Sequence, residues 1–448
     1  MNTKIAIYSS KVLLPNDLGS YTIYIDNGQI VDIEIGKSQK PEYIFHDYGD
    51  YVLMPGIIDP HVHINEPGRA DWEGFDTGTT AAVAGGVTTL VDMPLNSTPV
   101  TINVKEFNKK IEVANKKAHI HCGFWGGIIP ANISQLIPLA QAGILGFKAF
   151  LIHSGIDEFP DSDEETLIAA YNTLKGSNLP ILAHCEIGSA TNSSDLDKYP
   201  SSYMAYLKSR PKKWENDAIE LMLKLAEEFN HPTHIVHISS ADCLDSILAA
   251  KKGGVPITVE TCPHYLFFNA ENIPNADTRF KCAPPIRGSK NNDLLWESLI
   301  NGTIDFIGSD HSPAPPNIKE LDSGNLRDAW GGISGIQFTL SALWTKGVKY
   351  GLTLQRLKEI LCESPAKFIG QELNKGKIKV GYDADLVIWD PNETFKVVPE
   401  IIQARHKISP YSQLHLKGRV KYTYVKGNLV WNGKELIKKQ EGTLIIGV

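Results

Sequence analysis

Between residues 55 and 377 the chain alternates short apolar runs with longer stretches in which apolar positions recur every three or four residues. The short runs, at 57–63, 88–93, 120–125, 146–151, 180–185, 234–239, 257–261 and 305–310, are too brief for buried helices and predict strands. The longer stretches, such as VKEFNKKIEVANKK, ENDAIELMLKLAEEF and DCLDSILAAKKG, predict helices with one apolar face. Strand, loop and helix in repeated succession is the pattern of parallel strands covered by helices. Eight such units in about 320 residues predict an α/β fold, a (β/α)8 TIM-like barrel.

The two ends follow a period of two instead. SYTIYI and IVDIEI flank Asp26-Asn27-Gly28, a two-residue hairpin signal, and ADLVIWD, VKYTYV and NLVWNG repeat the style around Lys426-Gly427-Asn428. Neither end alone has enough strands for a core. Residues 1–54 and 378–448 are therefore expected to pair as one small β-sandwich domain built from both termini, with the barrel, 55–377, inserted between them. The polar run GSATNSSD at 188–195 reads as a mobile loop.

Bulk properties narrow the partners. The chain has 448 residues, a net charge of −7 and no basic cluster, which argues against nucleic acid and favours a small-molecule substrate. The opening MNTKIAIYSSKVLLPNDLGS lacks the apolar centre of a signal peptide, and no window approaches a membrane span, so no membrane partner is expected. Cys122, Cys185, Cys243, Cys262, Cys282 and Cys362 form no CxxC pair, which suits reduced thiols and a cytoplasmic location.

Candidate chemistry sits where the strands end. In a barrel, functional groups gather at the C-terminal ends of the strands. His61 and His63 close the first run, and their spacing puts both imidazoles on one side. Lys148 lies in the fourth run, His184 ends the fifth, His237 lies near the end of the sixth and Asp310 ends the eighth. Taken alone, His237 reads as a core histidine and Lys148, between Phe147 and Ala149, as a snorkelling lysine. Their joint placement points instead to one metal site.

A lysine ammonium, with a pKa of about 10.4, would repel a cation. Carboxylated by CO2, Lys148 becomes an anion whose two oxygens can bridge two divalent ions about 3.5–4 Å apart. A water between such ions is acidified toward neutral pH and becomes the nucleophile. Asp310, ligand to one ion, can carry the proton to a leaving nitrogen, so Lys148 and Asp310 are the expected catalytic residues. Zinc is the default ion, although iron, cobalt or manganese would suit the same donors. His119 and His121 open their strand and are expected to be structural, with His264 and His311 beside the site without binding metal.

The segments MPGIIDPHVHINEPGRADWEGFDTGTTAAVAGGVTTLVDMPLNSTP, GFKAFLIHSGIDEFP, VETCPHYL, FKCAPPIRG, GSDHSPAPP and DAWGGISGIQ resemble the cyclic amidohydrolases of the amidohydrolase superfamily over nearly the whole chain. The resemblance implies that His61 and His63 hold the more buried ion, that Lys148 bridges, that His184 and His237 hold the second ion, and that Asp310 is ligand and proton shuttle. It also implies a homotetramer.

Within that family, dihydroorotases typically carry Arg where this chain has Asn65, and hydantoinases carry Tyr where it has His153. Both differences match the branch that opens the hydantoin ring of allantoin, a neutral substrate needing no buried guanidinium. Asn96 and Ser154 are the expected substrate hydrogen-bonding residues. Ala283 occupies a position that varies in the family, which is tolerable if the contact there is through backbone. The alternatives are another cyclic amidohydrolase, or a scaffolding relative that has lost its metal ligands; retention of all six argues against the latter.

Overall fold

The computed structural model describes residues 4–188, 194–439 and 441–447; most of the polar run expected to be a mobile loop, 189–193, lies outside them. Five strands lead in: β1 (Ile5–Leu13), β2 (Leu18–Asp26), β3 (Gln29–Ile35), β4 (Ile44–Asp47) and β5 (Val52–Pro55). The barrel follows as β6 (Ile57–Val62), β7 (Val87–Asp92), β8 (His121–Phe124), β9 (Gly126–Gly127), β10 (Phe147–Phe150), β11 (Ile181–His184), β12 (Thr233–Ile235), β13 (Ile257–Thr261) and β14 (Phe306–Ile307). Three more, β15 (Leu386–Lys396), β16 (His415–Val425) and β17 (Asn428–Trp431), complete the terminal sheet.

β8 and β9 are halves of one barrel strand broken at Trp125, whose indole N–H donates to the Pro60 carbonyl at 2.8 Å. Counting them as one, the described residues supply eight barrel strands, each parallel to its neighbours. The ring closes where Val62 bridges His311 in parallel and the His63 N–H donates to the His311 carbonyl at 2.8 Å. Nearly every strand position is buried, because side chains fill the barrel inside and helices cover it outside. Lys212–Phe229, for example, turns Ile219, Met222 and Ala226 inward at helical spacing.

Two strands are shorter than the apolar runs predict. β12 stops at Ile235 and β14 at Ile307, so His237 and Asp310 lie beyond the ladder and not on it. Both adopt left-handed backbone, φ +39° and +45°, which few non-glycine residues do. That turn takes the chain out of the sheet just where the side chain must face the mouth.

The termini form a single forked sheet in the order β17-β16-β15-β5-β1-β2-β3. One edge of β1 carries β4 along Ile5–Tyr8 and β5 along Lys11–Val12, so the sheet splits and folds into a sandwich over its own core of Ile7, Ile23, Leu53, Leu386, Ile388 and Tyr424. β5 against β15 joins the two ends of the chain. Asn27 and Gly28 take positive φ in the β2–β3 hairpin, as do Lys426 and Gly427 between β16 and β17, which is the twist that two-residue turns require. No helix among the described residues is long and apolar enough to cross a membrane.

At the end of the barrel remote from the C-terminal mouth, a buried ion network ties barrel to sheet. Asp385 accepts from His121 Nε2 at 3.2 Å, from the Lys426 N–H at 2.9 Å and from Lys375 Nζ at 2.6 Å. His121 also faces Thr443, and His119 bonds Asp76, so this histidine pair is structural. Burial opposes ionisation of Asp385, but Lys375 and His121 outweigh it and hold the carboxyl well below its usual range. A depressed pKa contributes stability above the unfolded value of about 4 that is lost as pH falls. Asp385→Asn is therefore expected to cost about 3–5 kcal/mol at pH 7 by urea denaturation, with the gap to the unsubstituted protein narrowing below pH 4; a gap independent of pH would refute the linkage.

Candidate active site

The mouth is built from strand ends that offer side chains already oriented by a second layer. His61 places Nδ1 on the carboxylate of Glu260, which leaves Nε2 buried with no hydrogen-bond partner. His63 donates from Nδ1 to the Leu95 carbonyl at 2.8 Å, which also frees its Nε2. Both Nε2 atoms face Asp310 Oδ1, at 3.4 and 3.3 Å. Two imidazole nitrogens and a carboxylate oxygen thus converge on one point.

A second pair sits across the mouth. His184 donates from Nε2 to Glu186 at 3.0 Å, so its Nδ1 carries the lone pair, and that atom lies 2.9 Å from His237 Nε2. Glu186 is itself gripped by Arg210, whose Nε lies 3.0 Å away. The rings of His61 and His237 are 5.3 Å apart, which joins the two pairs into one constellation. Carboxylate-to-histidine contacts of this kind fix tautomer and ring angle at metal sites.

Lys148 lies between the pairs. Its Nζ is fully buried, has no hydrogen-bond partner and sits 4.8 Å from the Phe150 ring centroid. Burial pushes the amine down to about 8, with Asp310 and Glu260 limiting the fall. Burial also lowers His61, takes His184 down to about 4 and holds His237 well below its usual value, so these imidazoles are neutral near pH 7. Burial would raise Asp310, but His61 and His63 hold it well below the ordinary carboxylate range. Glu260 and Glu186 likewise stay ionised at about 2, against burial, through His61 and Arg210 respectively.

This donor set fits a pair of divalent cations. Neutral imidazoles, an anionic carboxylate and a partnerless buried amine converge where a cation would satisfy them, and buried polar atoms seldom go unpaired. His264 is buried beside Asp310 with both ring nitrogens unpartnered, whereas His311 is turned away, taking the Gly335 N–H on Nδ1 at 3.2 Å and facing Glu73.

A cavity of about 260 Å³ opens from the mouth, bounded by His63, His184, His237 and Asp310 below and by Asn96, Ser154, Lys281, Ala283 and Trp330 at its walls. Asn96 sits over Asn65, its Nδ2 3.4 Å from Asn65 Oδ1. Asn65 does not line the cavity and lies one step behind the wall. Ser154 spends its hydroxyl proton on the Phe159 carbonyl at 2.6 Å and can offer a ligand only lone pairs. His153 is half-exposed at the rim.

Sequence reasoning did not single out Glu260, Glu186 or Arg210. Glu260 stands in the buried run ITVET, and Glu186 follows His184 by two positions. A carboxylate inside an apolar strand run is a signal that could have found the first; Arg210 carries none.

Comparison with known proteins agrees with this geometry. Residues 52–430 match the model of the amidohydrolase family. The chain is 45% identical to an allantoinase of Arabidopsis thaliana over 95% of its own length and 87% of that protein. It is 41% identical to the allantoinase of Streptomyces avermitilis, with 96% of each chain covered, and 38% identical to that of Saccharomyces cerevisiae, with 97% and 96% covered. Among solved structures, the L-hydantoinase (dihydropyrimidinase) of Arthrobacter aurescens superposes over the whole of both chains with a TM-score of 0.94 at 28% identity. The dihydropyrimidinase of Brevibacillus agri does so over 99% of each with a TM-score of 0.91 at 27% identity. The chain belongs to the amidohydrolase family, alongside these allantoinases.

Proposed function

We propose that the protein hydrolyses the cyclic amide of allantoin to allantoate, a step of purine breakdown. The chemistry rests on one observation above all, the buried and partnerless Lys148 amine between two histidine pairs. The choice of substrate rests on near full-length similarity to allantoinases and on Asn65, an uncharged amide, behind Asn96 of the cavity wall.

His61 and His63 with Asp310 would hold one divalent ion and His184 with His237 the other, zinc by default, with Lys148 joining them as a carbamate. Such ions supply Lewis acidity and an acidified water. The protein's own residues do the rest. Lys148, neutral in a large fraction of molecules near pH 8, can add CO2 through its free lone pair. Asp310 takes the proton of the attacking water and passes it to the ring nitrogen as the C–N bond breaks, leaving a carboxylate and an N–H. Asn96 and Ser154, which line the cavity, would orient the ring and the ureido group.

The six buried thiols suit a cytoplasmic setting, and the family resemblance implies a homotetramer that light scattering would read directly. A scaffolding role is disfavoured by the intact donor set.

Three measurements test this reading. Lys148→Ala should lose most bound metal and essentially all turnover, while Asp310→Asn should lower kcat by about 10²–10⁴-fold; full activity of either variant would end the mechanism. In metal-free protein at fixed dissolved CO2, the rate of metal uptake should rise with pH through about 8 and then level off, because only the neutral Lys148 amine reacts. A rate that falls over that range would overturn the assignment of Lys148. Purified protein should open allantoin in preference to dihydroorotate and dihydrouracil; the reverse order would sink the substrate while sparing the metal chemistry.

A further inference from the structure

Behind the cavity wall lies a lysine amine with no carboxylate at salt-bridge distance among the described residues. Lys319 is 2% exposed, and its Nζ donates to the carbonyls of Gly332 at 2.8 Å, Trp330 at 2.9 Å and Lys281 at 3.3 Å. An ammonium has three donors, and three backbone oxygens use them all. Burying an amine far from any carboxylate is costly, and burial pushes Lys319 down to about 7, so its presence needs a reason beyond filling space.

The three carbonyls belong to two segments that both face the cavity, one carrying Lys281 and Ala283, the other Ala329, Trp330 and Gly331. Other bonds follow the same seam. The Gly332 N–H donates to the Lys281 carbonyl at 2.9 Å, and the Trp330 N–H donates to the Ile318 carbonyl at 2.8 Å. Lys281 Nζ reaches back to the Arg327 carbonyl at 3.0 Å and to that of Ala329. At Gly332 a Cβ would stand 2.2 Å from the Ser312 carbonyl, so the second segment lies directly on the loop after β14, where Ser312 also lines the cavity. Among the described residues, Lys319 is the one side chain that bonds both segments from behind without lining the cavity itself.

We propose that Lys319 is a positioning residue: it fastens the walls 281–283 and 329–331 to each other and so sets substrate affinity, leaving the metal-binding mouth untouched. The inference rests on the reading that the cavity takes a cyclic ureide, and its test separates the two. Lys319→Met should speed hydrogen exchange in peptides covering 279–283 and 327–332 while the barrel strands stay protected. With allantoin, KM should rise about 10-fold or more, with kcat within about threefold and metal content unchanged.

Unchanged exchange in those peptides, or an unchanged KM beside a lowered thermal midpoint, would overturn the proposal. If the unsubstituted protein does not open allantoin, the functional reading fails, and the exchange comparison still decides the clamp. Should Lys319→Met not fold, Lys319→Gln keeps two donors, and the same shifts at smaller size are expected.

Discussion

The mouth depends on the seam that closes the barrel. The His63 N–H to His311 carbonyl bond brings the first strand against the last, and Asp59 reinforces it by taking the N–H groups of His61 and Ser309 on one oxygen at 3.2 and 3.0 Å. Only with that seam shut do His61 and His63 meet Asp310, which is 247 positions beyond His63 (310 − 63). Burial pushes the Asp59 carboxyl up to about 7, which suits a group whose second oxygen is enclosed without a donor. The closure therefore costs little charge in a region already holding Asp310 and Glu260.

Charge balance explains the second layer. Glu260 and Glu186 are buried carboxylates whose ionisation burial opposes, and each is kept charged by a cationic or polarised partner. In return each fixes a histidine, Glu260 through Nδ1 of His61 and Glu186 through Nε2 of His184, so that His61 Nε2 is left without a partner and His184 Nδ1 is turned toward His237. His61, His184 and His237 can then stay neutral beside the anionic Asp310, a donor set able to receive cations. Arg210 completes the arrangement by neutralising Glu186 from the side of the helices.

Much of this was legible in the sequence because barrel geometry converts position along a strand into position in space. All six candidate ligands could be placed at one mouth from the ends of apolar runs alone, and the Asn27-Gly28 and Lys426-Gly427 turns announced both hairpins. What escaped were the features that depend on the third dimension without a periodic signal. The left-handed turns at His237 and Asp310 shorten their strands, yet nothing in HIVHIS or DFIGSD differs from an ordinary run. Glu260 looks like a misplaced charge until His61, 199 positions away, is seen across the barrel. Lys319 sits in a polar stretch, PNIKELDSG, where a lysine reads as a solvated one, and only the folded loops bury it.

The division between mouth and wall carries a physical lesson about this architecture. The candidate ligands stand on or just past strands whose hydrogen-bond ladders fix them, so their spacing tolerates little change. Lys281, Ala283 and Trp330 of the wall belong to segments 279–283 and 327–332, to which side chains donate at the backbone carbonyls. Such segments can be reshaped without disturbing the ladder beneath. Asn65 shows the same separation at smaller scale, since it reaches the cavity only through Asn96. In a barrel built in this way the cluster at the strand ends and the cavity wall can change independently, because they are fastened by different bonds.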